Sequence, residues 1–226
     1  MIDLIVFDMA GTTVDEDNVV YKTVRAAINA AAYDFSQDQV QAIGAGKEKS
    51  QAIRDVLALD GNSHADEEVA AIFADFKSRL AAAYENLDVR EQPGASEVFA
   101  RLRSNGIKVV LNTGYDRATA EGLIAKIGWN IGEHIDGLVT ASDVETGRPG
   151  PEMIRLAMKQ TGVGDSARVA KIGDSQIDIH EGQNAECGLT CGITTGAQSA
   201  DQLAEAKPMH VINGLDELLP LVGLVQ

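Results

Sequence analysis

The chain has 226 residues, 45% of them hydrophobic, and a formal net charge of −15 at pH 7. A chain of this length can bury a substantial core, in one domain with an insertion or in two domains. The negative charge argues against a nucleic-acid partner, and no run reaches the roughly 18 consecutive apolar residues that a membrane helix needs. Because the first strand begins almost at Met1, without a basic segment or a cleavage site, we expect a cytoplasmic protein.

The first strand is the stretch around which the chain is organised. Residues 4–7 form a continuous run of aliphatic and aromatic residues that stops at Asp8, which predicts a strand buried on both faces of a parallel sheet. Asp8 then lies at the carboxyl end of that strand, the edge where open α/β sheets bind ligands. Gly11, Thr12 and Thr13 follow, and we expect their loop to offer unpaired backbone N–H groups and hydroxyls to an anion.

The remaining pattern divides the chain into two parts. Only helical patterns follow the first strand as far as residue 90. They cover residues 19–31, 47–59 and 66–86, and residues 36–39 read as a capping box that starts a further helix. From Pro93 onward helices alternate with short apolar strands, which lie at residues 107–112, 135–139, 169–172, 189–193 and 209–212. This alternation predicts an α/β fold with a doubly wound, mainly parallel, Rossmann-like sheet. We predict a core of residues 1–16 and 92–226 and an inserted all-helical cap of residues 17–91.

Polar residues follow three of the predicted strands at the same edge of the sheet. Asp8, Thr113 and Asp174 occupy these positions. Two carboxylates with a backbone carbonyl and water make an oxygen-rich site for a hard divalent cation, and Mg²⁺ fits this description best. Magnesium with a hydroxyl and loop N–H groups would neutralise a phosphoryl group under attack.

These residues carry a resemblance to the haloacid dehalogenase superfamily of phosphoryl-transfer hydrolases. Residues 8–12, 112–114, 148–151 and 173–178 resemble its four motifs, in the same order. The resemblance implies that Asp8 is the nucleophile and forms an aspartyl-phosphate. It also implies phosphate binding by Thr12, Thr113, Gly114 and Arg148, a Mg²⁺ site made of Asp8, the Ala10 carbonyl and Asp174, and supporting positions at Ser175 and Asp178.

Ala10 departs from most phosphatases of this superfamily, which have an aspartate at this position. That aspartate protonates the leaving alcohol, and its loss typically lowers a rate by about 10²–10⁴. The pattern of residues 8–15 instead resembles phosphonatases, which hydrolyse phosphonoacetaldehyde. Cleavage of a C–P bond leaves a carbanion, so the reaction needs an electron sink, which a lysine iminium can supply.

Residues 46–54 resemble the phosphonatase cap loop and give the Schiff-base role to Lys49. Its position near a helix N-terminus, close to Lys47, favours a lowered pKa, although Glu48 opposes it. The alternative is a solvated lysine, or one that only grips phosphate. Two departures from phosphonatase stand against the Schiff base, because Ala52 and Asn18 replace the expected histidine and cysteine.

The sequence therefore predicts a Mg²⁺-dependent hydrolase that cleaves the C–P bond of phosphonoacetaldehyde or a close analogue. A phosphomonoesterase acting on a small ester is the alternative, and a third reading is a catalytically weak core that binds phosphorylated ligands or another protein. The acidic, alanine-rich cap helices suggest a homodimer surface. Tyr115 is expected to line the pocket or to pack under the cap, and Glu16 and Asp17 are expected to be charges at the start of a cap helix.

Overall fold

The predicted parallel sheet forms the centre of the molecule. The computed structural model describes residues 1–224, in which the strands are β1 (Leu4–Asp8), β2 (Val14–Asp15), β3 (Arg90–Glu91), β4 (Lys108–Thr113), β5 (Gly137–Thr140), β6 (Val169–Gly173), β7 (Leu189–Ile193) and β8 (His210–Ile212). Six of them form a parallel sheet in the order β5-β4-β1-β6-β7-β8. The predicted α/β fold class is confirmed.

Helices cover the sheet and fill the segment between β2 and β3. In chain order they are α1 (Val19–Ala30), α2 (Gln37–Gly44), α3 (Lys49–Leu57), α4 (Asp66–Asn86), α5 (Ala95–Ser104), α6 (Arg117–Ile127), α7 (Glu152–Thr161), α8 (Gln176–Asn184), α9 (Ala200–Glu205) and α10 (Leu218–Leu221). We call α1–α4 and their connections, residues 19–86, the helical insert. The predicted capping box is present at the start of α2, where Ser36 and Gln39 exchange hydrogen bonds.

Several elements differ from the sequence prediction, most of them by one or two residues at an end. The pair β2 and β3, two residues each and antiparallel, was not predicted, because two residues are too few to show a period. Strand β5 begins at Gly137 rather than at residue 135, since the Asp136 carboxylate accepts the Val109 amide and interrupts the ladder. The sequence pattern predicts a helix over residues 149–160, but α7 begins at Glu152, because the chain first makes a turn in which the Gly150 amide donates to the Gly147 carbonyl.

The side chains of β1 enter both faces of the core, as a strand in the middle of a parallel sheet requires. Ile5 and Phe7 pack in the larger apolar cluster, and Leu4 and Val6 pack in the cluster on the opposite face. The Phe7 ring lies 5.3 Å from the ring of Phe99. Within residues 1–224, none of the helices has both the length and the apolar character needed to cross a bilayer.

Neighbouring strands bring three predicted site residues to one edge of the sheet. Asp8 ends β1 opposite Asn112 of β4, Thr113 ends β4, and Asp174 directly follows β6. The helical insert approaches the same edge closely, since a Cβ on Gly114 would lie 3.1 Å from the Lys47 carbonyl oxygen, tighter than an ordinary van der Waals contact. The insert and the sheet therefore meet where the polar residues collect.

Candidate active site

A small chamber at the carboxyl edge of the sheet is lined by most of the predicted site residues. Asp8, Ala10, Tyr21, Gly46, Lys49, Thr113, Gly114, Tyr115 and Arg148 line it. Asp8 is 5% exposed, and its Oδ1 lies 2.8 Å from Nη1 of Arg148. Arg148 also donates from Nη2 to the Asn112 carbonyl at 2.7 Å, which fixes its guanidinium against the sheet. A carboxylate and a cation are thus held side by side beneath the insert.

The loop after β1 differs from the sequence prediction. The amides of Gly11, Thr12 and Thr13 are not unpaired, since they donate to the carbonyls of Val14 and Met9. The Thr13 hydroxyl donates to the Asp8 carbonyl at 2.9 Å. Thr12 is fully buried, and its Oγ1 has no hydrogen-bond partner among the described residues. The Thr12 hydroxyl is therefore the donor that this loop leaves available.

Three buried carboxylates form the candidate metal centre. Oxygen atoms of Asp8, Asp174 and Asp178 lie within 4.8 Å of one another. Asp178 is held by a hydrogen bond from the Ser175 hydroxyl at 2.5 Å, while Oδ2 of Asp174 accepts the Ala197 amide at 2.5 Å. Oxygen-only donors of this kind suit Mg²⁺. The residues present fit the cation: Asp8 and Asp174 would hold it, while Asp178 is fixed by Ser175, Arg148 and Lys171.

The electrostatics of these carboxylates also fit a cation. Burial raises the pKa of Asp174 well above its usual value, and the charges of Asp8 and Asp178 raise it further. Burial likewise raises the pKa of Asp8, although Arg148 opposes this. A divalent ion between the two groups would offset the repulsion and keep both ionised.

The sequence analysis did not identify a second buried network behind the chamber. Nζ of Lys171, which is 1% exposed, lies 2.9 Å from Asp178 Oδ1 and 3.1 Å from Glu181 Oε2. It also donates to the Asn112 side chain at 2.6 Å. Burial alone would raise the pKa of Asp178, but the charges of Arg148 and Lys171 outweigh it and lower the pKa of this carboxyl group. The available signal was a lysine in the middle of the apolar strand β6, where a charged residue needs a buried partner.

The buried cluster as a whole carries an excess of negative charge. It contains the two cations Arg148 and Lys171 and the four carboxylates Asp8, Asp174, Asp178 and Glu181. The excess of two negative charges is what a divalent cation would neutralise. Lys49 approaches the same chamber from the insert and would face the substrate.

Lys49 is buried, which rules out a solvated lysine. It is 7% exposed, its Nζ donates to the Lys47 carbonyl at 2.7 Å, and it lies 5.1 Å from the ring centre of Tyr21. Burial lowers its pKa to about 8, partly opposed by the charges of Asp8, Glu48 and Glu16. The predicted direction of the shift is correct, but its main cause is desolvation rather than the helix terminus or Lys47.

The two positions expected to hold a histidine and a cysteine contribute no titratable group. Ala52 is fully buried, and the Asn18 amide donates to Gln41 at 2.9 Å. The expectation for Glu16 was incomplete. It accepts the Val20 amide at the start of α1, but it is 3% exposed and also accepts the Tyr84 hydroxyl at 3.0 Å.

A larger cavity adjoins the chamber on the side of the insert. Its volume is about 350 Å³, and it shares Lys49, Gly114 and Tyr115 with the chamber. Phe73, Phe76, Leu80 and Tyr84 of α4 form much of its apolar wall. Tyr115 both lines the chamber and packs beneath the insert, so both expectations for it hold. The cavity leaves space next to Lys49 beyond the chamber itself.

Comparison with known proteins identifies the family. A model of haloacid dehalogenase-like hydrolases matches residues 2–186. The chain belongs to this family. It is 33% identical to a phosphonoacetaldehyde hydrolase of Parabacteroides distasonis over 71% of this chain, an alignment that spans only 58% of that protein. It is 27% identical to the probable phosphatase IndB of Dickeya dadantii over 96% of this chain and 91% of that protein.

A solved structure supports the same placement within the haloacid dehalogenase-like hydrolases. The phosphonoacetaldehyde hydrolase-like protein from Oleispira antarctica superimposes with a TM-score of 0.82 and 25% identity, covering 98% of this chain and 91% of that one. The resemblance to phosphonatases is therefore confirmed. The relatives carry names of both phosphonate and phosphate hydrolases, so family membership alone does not select the substrate.

A substitution of Gly11 tests whether the candidate metal centre depends on the close approach of the loop after β1. Its φ is +80°, and a Cβ there would lie 2.3 Å from Asp174 Oδ2. We expect Gly11→Ala to raise the Mg²⁺ concentration for half-maximal activity about 10- to 100-fold, because it displaces a metal-facing carboxylate. Gly61→Ala is the matched control, since its φ is +81° and nothing lies within 4 Å of its Cβ position. Equal Mg²⁺ dependence in the two variants would contradict the assignment.

Proposed function

We propose that the chain is a Mg²⁺-dependent hydrolase that cleaves the C–P bond of phosphonoacetaldehyde or a close analogue. The observation that carries the proposal is Lys49, a buried lysine with a pKa of about 8 in the same chamber as Asp8. At neutral pH an appreciable fraction of such an amine is uncharged, which is the form that attacks an aldehyde. We also propose that residues 17–91 act as the cap that excludes bulk water from this chamber.

The residues at the carboxyl edge of the sheet would bind the phosphoryl end of the substrate. In the proposal, Thr12, Thr113, Gly114 and Arg148 hold the phosphoryl oxygens, while Asp8 faces the phosphorus atom. Bound Mg²⁺, held by Asp8, the Ala10 carbonyl and Asp174, would supply positive charge beside the phosphoryl group. The guanidinium of Arg148 supplies further positive charge, since its Nη1 lies 2.8 Å from Asp8 Oδ1.

The covalent steps balance in atoms and charge. The uncharged amine of Lys49 adds to the aldehyde, and the adduct takes up one proton and loses water to leave an iminium ion. Asp8 attacks phosphorus, and the electrons of the C–P bond move into the iminium to give an enamine and an aspartyl-phosphate. The enamine carbon gains a proton to form an iminium again, water hydrolyses this iminium to the aldehyde and the Lys49 amine with return of the proton first taken up, and a second water releases phosphate from Asp8.

Ala10 supports this chemistry over ester hydrolysis. A methyl group cannot protonate an alcohol leaving group, whereas the enamine route requires no acid at that position. A buried amine next to the phosphoryl chamber would be costly without a function, because desolvation disfavours its charged form.

A phosphomonoesterase is the second candidate, and the adjoining cavity favours it. A volume of about 350 Å³ exceeds what a two-carbon aldehyde occupies, and the probable phosphatase IndB is a relative along nearly the full chain. In this case Lys49 would only bind the phosphoryl group, and a water or a group of the insert would replace the missing acid.

A substitution of Lys49 separates the two candidates. Lys49→Arg keeps the charge but cannot form an imine, so we expect phosphate release from phosphonoacetaldehyde to fall by at least about 10³-fold. Hydrolysis of an ester such as p-nitrophenyl phosphate should change less than about tenfold. Both rates are measured as phosphate released with Mg²⁺ present.

Lys47→Arg is the matched control for this comparison. Lys47 lies two residues away and pairs with Asp55 at 2.5 Å, so its replacement should leave both activities unchanged. If Lys49→Arg retains phosphonate cleavage, or if the wild-type chain hydrolyses only esters, the phosphomonoesterase reading replaces the proposal.

A further inference from the structure

Glu16 is a buried acid that the steps above do not use. It lies between β2 and α1, and its Oε2 is 3.0 Å from the hydroxyl of Tyr84 on α4. That hydroxyl is 3.4 Å from the hydroxyl of Tyr115, which lines the chamber. The centre of the Tyr115 ring is 5.8 Å from Nζ of Lys49. Two hydroxyls thus connect the buried carboxyl group to the side of the chamber that holds the lysine.

The ionisation of Glu16 sets the direction of both hydroxyls. A carboxylate can only accept, so Tyr84 then donates to Glu16 and Tyr115 donates to Tyr84. A carboxylic acid can donate to Tyr84, which then donates to Tyr115, and the Tyr115 hydroxyl can donate into the chamber. The two arrangements differ by one proton, which becomes available at Tyr115.

We propose that the Glu16–Tyr84–Tyr115 chain returns a proton to the enamine on Lys49, an inference that rests on the proposed function. The proton leaves Glu16, passes through the two hydroxyls and forms the new C–H bond that replaces the C–P bond. The water that hydrolyses the aspartyl-phosphate releases one proton, which restores the acid at Glu16. Glu16 is a positioning residue in this scheme, because it acts through Tyr115.

The surroundings of Glu16 suit an acid that works near neutral pH. Burial raises its pKa to about 7, against an opposing hydrogen bond from the Tyr84 hydroxyl. The titratable groups that face it are Lys49 of α3, Asp15 of β2, Tyr84 of α4, Tyr21 of α1 and Tyr115. Glu16 carries its proton below its pKa, so proton return should slow as the pH rises above about 7.

The test follows the state of Lys49 during turnover. Phosphonoacetaldehyde and Mg²⁺ are mixed with the chain, quenched in acid, reduced with borohydride and analysed by mass spectrometry. We expect Glu16→Gln to release about one phosphate per chain and then slow by about 10²–10⁴-fold. Lys49 should then carry a two-carbon adduct without phosphorus, because the enamine accumulates. Tyr84→Phe removes the middle hydroxyl of the Glu16–Tyr84–Tyr115 relay, so its turnover should also stop at the enamine.

Glu85→Gln is the matched control, since it makes the same change at an exposed neighbour of Tyr84 and should behave as wild type. If the role of Glu16 is only structural, Glu16→Gln should lower the rate without accumulation of the two-carbon adduct. That result, or unchanged kinetics, would refute the relay but not the proposed function. The wild-type chain gives a test without substitution, because the adduct should increase between pH 7 and 9, and a constant level would also refute the relay. If the wild type forms no adduct and releases no phosphate, the proposed function fails together with the relay.

Discussion

Asp8→Asn is expected to lower phosphate release from phosphonoacetaldehyde by at least about 10⁴-fold, the scale seen when a covalent nucleophile is removed. An amide cannot form the acyl-phosphate, and it also provides a weaker ligand for Mg²⁺. Phosphate release over hours, with the protein at high concentration, measures the remaining rate.

The fold should tolerate this substitution. Asp8 has a raised pKa because burial disfavours its charge, so replacing it with a neutral group removes an unfavourable term and leaves Arg148 paired with Asp178 at 3.1 Å. Thermal unfolding of the variant should therefore lie close to that of the wild type. Activity above about 1% of wild type in a folded Asp8→Asn protein would show that another group attacks phosphorus.

Lys171→Met is expected to lower the free energy of unfolding by about 3–5 kcal/mol, the cost of breaking a buried ion pair from one side. The substitution leaves the fully buried carboxylates of Asp178 and Glu181 without the cation that lies 2.9 and 3.1 Å from them. Because the pKa of Asp178 is lowered in the folded chain by its cationic partners, this stabilisation is present at neutral pH and is lost as the pH falls through that pKa.

An exposed lysine of the same sheet provides the control. Lys108 of β4 is exposed and pairs with Asp136 at 3.2 Å, so Lys108→Met should cost less than about 1 kcal/mol. Urea unfolding at pH 7 measures both variants. Equal losses of unfolding free energy in the two variants would mean that the buried network does not stabilise the base of the chamber.

Much of the fold and part of the site follow from local patterns in the sequence. The apolar run before Asp8 predicts a buried strand, and the carboxyl edge of a parallel sheet brings Asp8, Thr113 and Asp174 together without further information. Lys49 could be singled out because residues 46–54 resemble the phosphonatase cap loop. Its burial could not be predicted, because it depends on how the insert closes against Gly114 and Tyr115.

The remaining features depend on contacts between residues far apart in the chain. Glu16 meets Tyr84 across 68 residues, and Lys171 meets Asn112 across 59, so neither pairing has a sequence period. The amides of Gly11 and Thr12 were expected to face an anion, but the tight turn after β1 uses them internally. Hydrogen bonds within a turn are decided by backbone geometry, which residue identity alone does not specify.

The most direct measurement of the central claim is the mass of the peptide that contains Lys49. The wild-type chain is incubated with phosphonoacetaldehyde and Mg²⁺, with and without borohydride, and then digested. A covalent lysine intermediate predicts that borohydride stops phosphate release and leaves a reduced adduct on Lys49. Steady phosphate release in the presence of borohydride, with an unmodified Lys49 peptide, would show that the C–P bond is not cleaved through an imine.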